Sequence, residues 1–291
     1  MQAINKIILG TVQFGLNYGI NNTTGKPNQV TVNEILYAAH NLGVRCLDTA
    51  EAYGDAHKII GRFHADNPAH IFNVITKLPK HIDESFSEKI EKYLRELNIK
   101  QLQGLLFHSY QTYKDNKKNI ELLYDYKRAG KVKYLGVSVY TNAEMEDVIE
   151  DPGMQIIQLP FNLFDNNNLR GSMLEKAKKK GKIIHTRSAF LQGLFFSSLQ
   201  SETAIVKSLA KELGVIQQLS KDSQIPLQKI SLNYCLQNKN IDNVLIGVDN
   251  LDQLMKNFEG ADSTLSNELI EKINEIHIKN VDLLNPSLWN Q

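Results

Sequence analysis

Short apolar runs alternate along the chain with longer stretches of mixed apolar and polar positions. The runs cover 6–12, 43–49, 71–77, 102–108, 131–139, 155–161, 182–188 and 243–248. Several lack strict apolar/polar alternation, so they read as parallel strands covered on both faces. The stretches between them carry helical spacing. Thr31 to Glu34 has the form of a capping box and opens a helix that closes on Gly43. Residues 85–99 form an amphipathic helix pattern. Two further patterns run from 119 to Gly130 and from 169 to Gly181.

Eight βα units in series predict an α/β fold, a (β/α)8 TIM barrel with an outer ring of helices. A doubly wound sheet would be expected to show G-x-G-x-x-G after its first strand. Here Gly10, Gly15 and Gly19 have the wrong spacing. Two segments exceed the minimal barrel, 194–230 between the seventh and eighth strands and an extended C-terminal segment, 279–291. No linker composition divides the chain, so residues 1–291 are expected to form a single barrel domain.

Composition changes this picture little, but it excludes several function classes. A chain of 291 residues with 42% hydrophobic and 22% charged residues is ordinary globular protein. Its 33 basic and 32 acidic side chains leave a net charge of +1, with no electrostatic case for nucleic acid or an anionic membrane. The lysine-rich run from Lys176 to Lys182 reads as a solvated helix end. No window is long and apolar enough for a membrane span. Cys46 and Cys235 are far apart and lack metal-ligand spacing, so neither a disulfide framework nor a metal site is expected. A reducing, cytoplasmic location is the simple expectation.

In a barrel of this kind, function collects at the C-terminal strand ends. Those ends carry Asp48, Lys77 and His108, with Tyr53 five residues beyond Asp48 in the loop DTAEAYG. Singly, Asp48 could cap a helix, Tyr53 could pack and His108 could be structural. Lys77 at the end of a buried run is costly unless paired or functional. Together the four suit proton transfer to an oxygen that gains charge. A lysine beside a tyrosine favours the phenolate, and an aspartate holds that lysine charged and oriented. A histidine can hydrogen-bond the reacting oxygen. The set could protonate an alkoxide as carbonyl reduction forms it, and run backwards for alcohol oxidation. The hydride has to come from a cofactor.

At these residues the sequence resembles the aldo-keto reductase family, over most of its length. The matching motifs are LDTAEAYG (47–54), the pair Thr76–Lys77, LLFH (105–108) and GKVKYLGVS (130–138). The resemblance implies a barrel and a nicotinamide cofactor, usually NADP with NAD as the other choice. It implies a catalytic set of Asp48, Tyr53, Lys77 and His108 with Tyr53 as general acid/base. It places Ser138 and Gln158 on the nicotinamide carboxamide, and Thr11 among the cofactor contacts. Ser188 and the stretch Leu191, Gln192 and Gly193 fall on the diphosphate. Gly247, Asp249, Gln253 and Asn257 fall on the adenosine side. The C-terminal segment carries Trp289, for which two readings stay open: it packs on the barrel, or, as the resemblance implies, it lines the substrate pocket.

Three positions depart from the commoner pattern. Val139 replaces an Asn that binds the carboxamide. Arg187 replaces an aromatic residue stacked on the nicotinamide, although a guanidinium can also stack. The segment 247–250 lacks a basic residue for a 2′-phosphate, and Asp249 would repel one. These departures resemble a divergent bacterial branch associated with sugar metabolism. The expected activity is hydride transfer between NAD(P)H and a small carbonyl or alcohol, such as a sugar or sugar derivative. Two alternatives stay open, a Schiff-base aldolase using Lys77 and a cofactor-binding regulatory subunit without turnover.

Overall fold

A computed structural model of the protein describes residues 4–289 other than 21, 23, 24, 83, 84 and 262. Eight parallel strands close into a barrel in sequence order. They are β1 (Ile7–Gly10), β2 (Cys46–Asp48), β3 (Asn73–Leu78), β4 (Leu102–Phe107), β5 (Val132–Ser138), β6 (Ile156–Pro160), β7 (Ile183–Arg187) and β8 (Asn243–Gly247). All eight fall on the expected apolar runs. β8 pairs with β1 from Ile7↔Val244 to Gly10↔Gly247, which closes the ring.

The period of two along a strand explains how the barrel builds its site. Ile8, Ile75, Leu106, Ile156 and Leu245 form a compact cluster inside the barrel. Two positions further on stand Gly10, Lys77, His108, Gln158 and Gly247, all of which line one cleft. The inner face therefore changes from apolar filling to polar chemistry in one step toward the C-terminal rim. The opposite faces pack against the helices in one large core that includes Leu9, Leu47, Val74, Leu105, Val137 and Val244.

The helical patterns are met with shifts at their ends. The helix expected at 85–99 spans Phe86–Leu97, and Ser85 with Glu88 forms a true capping box. The helices expected to close on Gly130 and Gly181 end at Arg128 and Lys179. Thr31 is not an N-cap. Its helix begins earlier, at Gln29, and the Asn28 side chain accepts from the Thr31 N–H. Asn and Thr both cap well, and the Asn28 cap adds Gln29 to Thr31 to the helix ahead of the buried Val32.

The segment 194–230 is largely helical, with Ala204–Ser208 and Ala210–Ser223 inserted before the helix Leu227–Leu236. The lysine-rich run ends the helix Asn167–Lys179. Its cations meet carboxylates, Lys178 with Asp242 at 2.7 Å and Lys180 with Glu150 at 2.9 Å. Trp289 packs against the outer core, and its indole N–H donates to the Leu283 carbonyl at 3.0 Å. No helix among the described residues is long and apolar enough to cross a membrane.

Candidate active site

The cleft at the C-terminal rim has a volume of about 540 Å³. At its floor the Lys77 ammonium meets the Asp48 carboxylate, with side chains only 1% and 3% exposed. Lys77 also donates to the Thr49 carbonyl at 3.0 Å, and the Gln158 amide donates to the second Asp48 oxygen at 2.8 Å. Burial works against the lysine's charge, but Asp48 and Tyr53 outweigh it and its pKa is raised. Lys77 is thus held as a cation.

Tyr53 lies above this pair, its ring centroid 5.2 Å from the Lys77 nitrogen. His108 meets it edge-on, with ring centroids 5.7 Å apart and planes at 78°. Burial raises the Tyr53 pKa and Asp48 adds to the rise, while Lys77 and Arg187 oppose it. The expectation that Lys77 favours the phenolate is met in sign, but in this state burial outweighs it. Tyr53 is therefore a protonated phenol near neutral pH. Burial, with help from Lys77 and Arg187, pushes His108 down to about 3, so it is a neutral imidazole.

The loop that presents Tyr53 is fastened from several sides. The Thr49 N–H donates to the Ile75 carbonyl at 2.8 Å, and the Ala56 N–H to the Tyr53 carbonyl at 3.1 Å. Glu51 points outward to the helix Phe86–Leu97. There it accepts from Lys89 at 3.2 Å on both oxygens, from the Tyr93 hydroxyl at 2.5 Å and from Lys92 at 3.5 Å. Burial tends to raise the Glu51 pKa, yet the Tyr93 and Lys89 hydrogen bonds leave it lowered. On the other side the loop touches Gly15, where a Cβ would come within 1.7 Å of the Tyr53 carbonyl oxygen.

Most of the remaining expected residues border the same cleft. Thr11 donates to the Asp48 carbonyl at 3.0 Å. Ser138 and Gln158 stand side by side across β5 and β6. Ser188, Gln192 and Gly193 line the rim after β7, and Ser188, Leu191, Gln192 and Gly193 all adopt positive φ. Such left-handed residues are strained in non-glycine side chains and recur at ligand-binding turns, where backbone N–H groups can hold anions. Gly247, Asp249, Gln253 and Asn257 line the far end.

The Leu191 side chain is fully buried in the outer core, so it is the Leu191 backbone, as expected, that belongs to the rim. One expected residue lies elsewhere. Trp289 does not line the cleft, because its indole is held against the barrel wall by the short turns of the tail.

Several cleft residues were not anticipated. Gln13 and Tyr18 follow β1, Asn22 lies in the next loop, Tyr140 follows β5, and Lys256 lies on the helix Leu251–Gly260. Lys256 pairs with Asp252 at 2.7 Å, four residues earlier. It had a readable signal, one helical turn beyond Asp252 in a segment already assigned to the adenosine side. Tyr18 and Asn22 had none, since they sit in a loop and reach the cleft through long-range contacts. Gln192 donates to the Tyr18 hydroxyl at 2.8 Å and Asn22 to Asp249 at 3.3 Å.

The cleft suits a nicotinamide cofactor on its own chemistry. Gln158 Oε1 and Gln13 Oε1 are buried acceptors with no hydrogen-bond partner among the described residues. A buried acceptor left unpaired is costly, and a carboxamide N–H2 is a group that would satisfy it.

Known proteins agree with this architecture. The chain is similar in fold to the holo form of an aldo-keto reductase from Bacillus halodurans. The TM-score is 0.75 at 16% identity, covering 93% of this chain and 91% of that one. It is also similar to two structures from Pseudomonas aeruginosa assigned to the aldo-keto reductases. These have TM-scores of 0.66 and 0.64, both at 19% identity and over 88% of this chain, covering 89% and 88% of theirs. No curated protein sequence matches it. The model of the aldo/keto reductase family matches residues 6–278. The chain therefore belongs to the aldo/keto reductase family, oxidoreductases that use nicotinamide cofactors.

Proposed function

We propose that the protein reduces a small carbonyl compound, a sugar or sugar derivative, with NADPH, and oxidises the corresponding alcohol in reverse. Tyr53 is the general acid/base. The observation that carries this reading is the buried Asp48–Lys77 pair beneath Tyr53, with His108 on the other side of the phenol.

When bound, the cofactor supplies the hydride. The protein's own residues handle the oxygen. His108, neutral at physiological pH, donates a hydrogen bond to the carbonyl oxygen in the tautomer with a proton facing the cleft. Tyr53 then gives its proton to the oxygen as negative charge develops there. A raised phenol pKa does not forbid this, because an alkoxide is far more basic than a phenolate. Lys77 stabilises the phenolate left behind, and Asp48 keeps Lys77 charged and aimed. The Schiff-base alternative requires a neutral Lys77, which its raised pKa opposes.

For the cofactor, Ser138, Gln158 and Thr11 hold the nicotinamide end, and the rim from Ser188 to Gly193 receives the diphosphate. Gly247, Asp249, Gln253 and Asn257 receive the adenosine. NADP is the preferred form, with Lys256 as the cation for a 2′-phosphate that the segment 247–250 lacks. Tyr53→Phe tests the proposal. It keeps the ring, so NADPH should still bind, while turnover of an aldehyde should fall by about two to four orders of magnitude. Steady-state NADPH oxidation within a few fold of wild type would defeat the assignment. Wild type that binds NADPH but oxidises it with no aldehyde would instead favour the regulatory reading.

A further inference from the structure

Six side chains that line the cleft carry formal charge: Asp48, Lys77, Arg187, Asp249, Asp252 and Lys256. Two cations are matched locally, Lys77 by Asp48 and Lys256 by Asp252. Asp249 accepts from Asn22 and from Gln253. Arg187 differs from these. Its guanidinium meets no carboxylate among the described residues, and its hydrogen bonding there is one donation to the Val139 carbonyl at 3.3 Å. A guanidinium has five N–H donors in a fixed fork.

Arg187 is nevertheless held in place. Its guanidinium carbon lies 4.1 Å from the centroid of the Tyr140 ring. Tyr140 is anchored in turn. Its N–H donates to Glu144 at 2.6 Å, and its carbonyl accepts from Arg170 at 2.5 Å. Arg170 grips Asp165 with two parallel bonds, at 2.5 and 2.9 Å. Arg170 takes both oxygens of the buried Asp165 carboxylate, which Arg187 reaches only through space, so Arg187 is left with no hydrogen-bonded anion on a stiff support. Arg187 closes β7 at the C-terminal rim and lines the cleft together with Tyr53 and His108, and its charge acts on both and on Tyr18.

We propose that Arg187 is a specificity-determining residue that receives an anionic oxygen group, a carboxylate or a phosphate, carried by the carbonyl substrate itself. This rests on the oxidoreductase reading above and narrows its substrate to an acidic aldehyde or ketone. A planar fork binds such groups in two parallel bonds, and a half-buried cation without a partner makes them the favoured occupants. The cofactor's own diphosphate is a competing anion. It is separated from the reacting ring by a ribose, and because the field of Arg187 reaches Tyr18 beside that rim as well as Tyr53 and His108, the NADPH affinity of Arg187→Gln is what separates the two anions.

Matched substrate pairs test the proposal. Succinic semialdehyde against butanal reports a carboxylate, and glyceraldehyde 3-phosphate against glyceraldehyde reports a phosphate. Wild type should prefer the charged member of at least one pair by about tenfold or more in kcat/KM. Arg187→Gln should bring that ratio close to one, and Arg187→Lys should restore part of it. Ratios near one in wild type for both pairs would overturn the proposal. So would an Arg187→Gln variant that keeps the ratio but loses NADPH affinity, since the guanidinium would then serve the diphosphate. Calorimetric titration of the NADPH complex with each charged compound reads the anion site without turnover. Binding of a charged compound that Arg187→Gln abolishes, in a protein that reduces none of the four, would sink the oxidoreductase reading and keep the anion site.

Discussion

The two ends of the cleft are built on different physical terms. At the floor, Asp48 and Lys77 are almost completely buried and each is tied to further protein groups. At the far end, Lys256 and Asp252 are 59% and 71% exposed, and Asp249 is held by neutral amides. A buried charge pair is expensive to break and so is fixed in place. An exposed pair is worth little and can be exchanged freely. On the proposed reading, the chemical end of the cleft is over-determined, while cofactor choice rests on replaceable surface contacts.

The sharpest way to break the contrast is Lys77→Met. It leaves the Asp48 carboxylate buried without a cation, so stability should fall by about 3–5 kcal/mol and most turnover should vanish. Chemical denaturation and steady-state assays check both. A variant as stable as wild type would mean that the floor is not fixed by this pair.

Acid reaches the same end by another route. His57, His108 and His185 are pushed down to about 4, 3 and 4, in each case chiefly by burial. Their folded pKa values lie below the unfolded value of about 6.5, so the unfolded chain binds more protons in between. Their contribution is complete above pH 6.5 or so and is lost as pH falls toward 4. Each should cost about 1.4 kcal/mol per pH unit within that window. Denaturation midpoints at successive pH values measure it, and a flat profile from pH 7 to 5 would contradict the burial of these rings.

Glu51 tests whether the floor depends on its support. Glu51→Ala removes the carboxylate that faces Lys89 and Tyr93, two residues before Tyr53 in the chain. A loosened loop should lower kcat by about 10–100-fold while KM changes less, and Glu51→Gln should recover part of it. An equal effect on KM alone would mean that the loop serves binding instead.

The smallest effect belongs to the far end. Asp249→Arg should shift the NADPH-to-NADH affinity ratio toward NADPH by about 1 kcal/mol, read by fluorescence titration. The shift is modest because Asp249 is engaged by Asn22 and Gln253 and because exposed charges are screened. An unchanged ratio would mean that residue 249 does not face the 2′-position, leaving Lys256 to read it alone.

The same contrast decides what could be read in advance. The strands were legible because buried parallel strands are continuous apolar runs, and Asp48, Lys77 and His108 stood out as charged or polar groups where such runs stop. Tyr53 was legible by its place in the loop after β2. The cleft walls were less so. Tyr18 and Asn22 meet Gln192 and Asp249 across more than 170 residues, a pairing that no local pattern encodes. Trp289 lies off the cleft because the tail turns twice in short 3-10 segments, whose path the composition does not specify. Asn28 rather than Thr31 is the cap, and because both residue types suit the role the local sequence does not choose between them.

The meeting of Gly15 with the Tyr53 loop has a consequence for how this protein can change. Gly54 also faces it, with a positive φ of 57° and a would-be Cβ 2.6 Å from the Gly15 carbonyl oxygen. Backbone lies against backbone here, so a single added methyl has no side chain to displace. At Gly247, in the cleft wall, an added methyl would meet the Gln13 side chain, which can move. At Gly15 and Gly54 it would meet backbone, so the smallest possible mutation, glycine to alanine, shifts the loop that carries Tyr53. A lineage, or a mutant library, that explores new substrates is therefore confined at two glycines that themselves read no substrate.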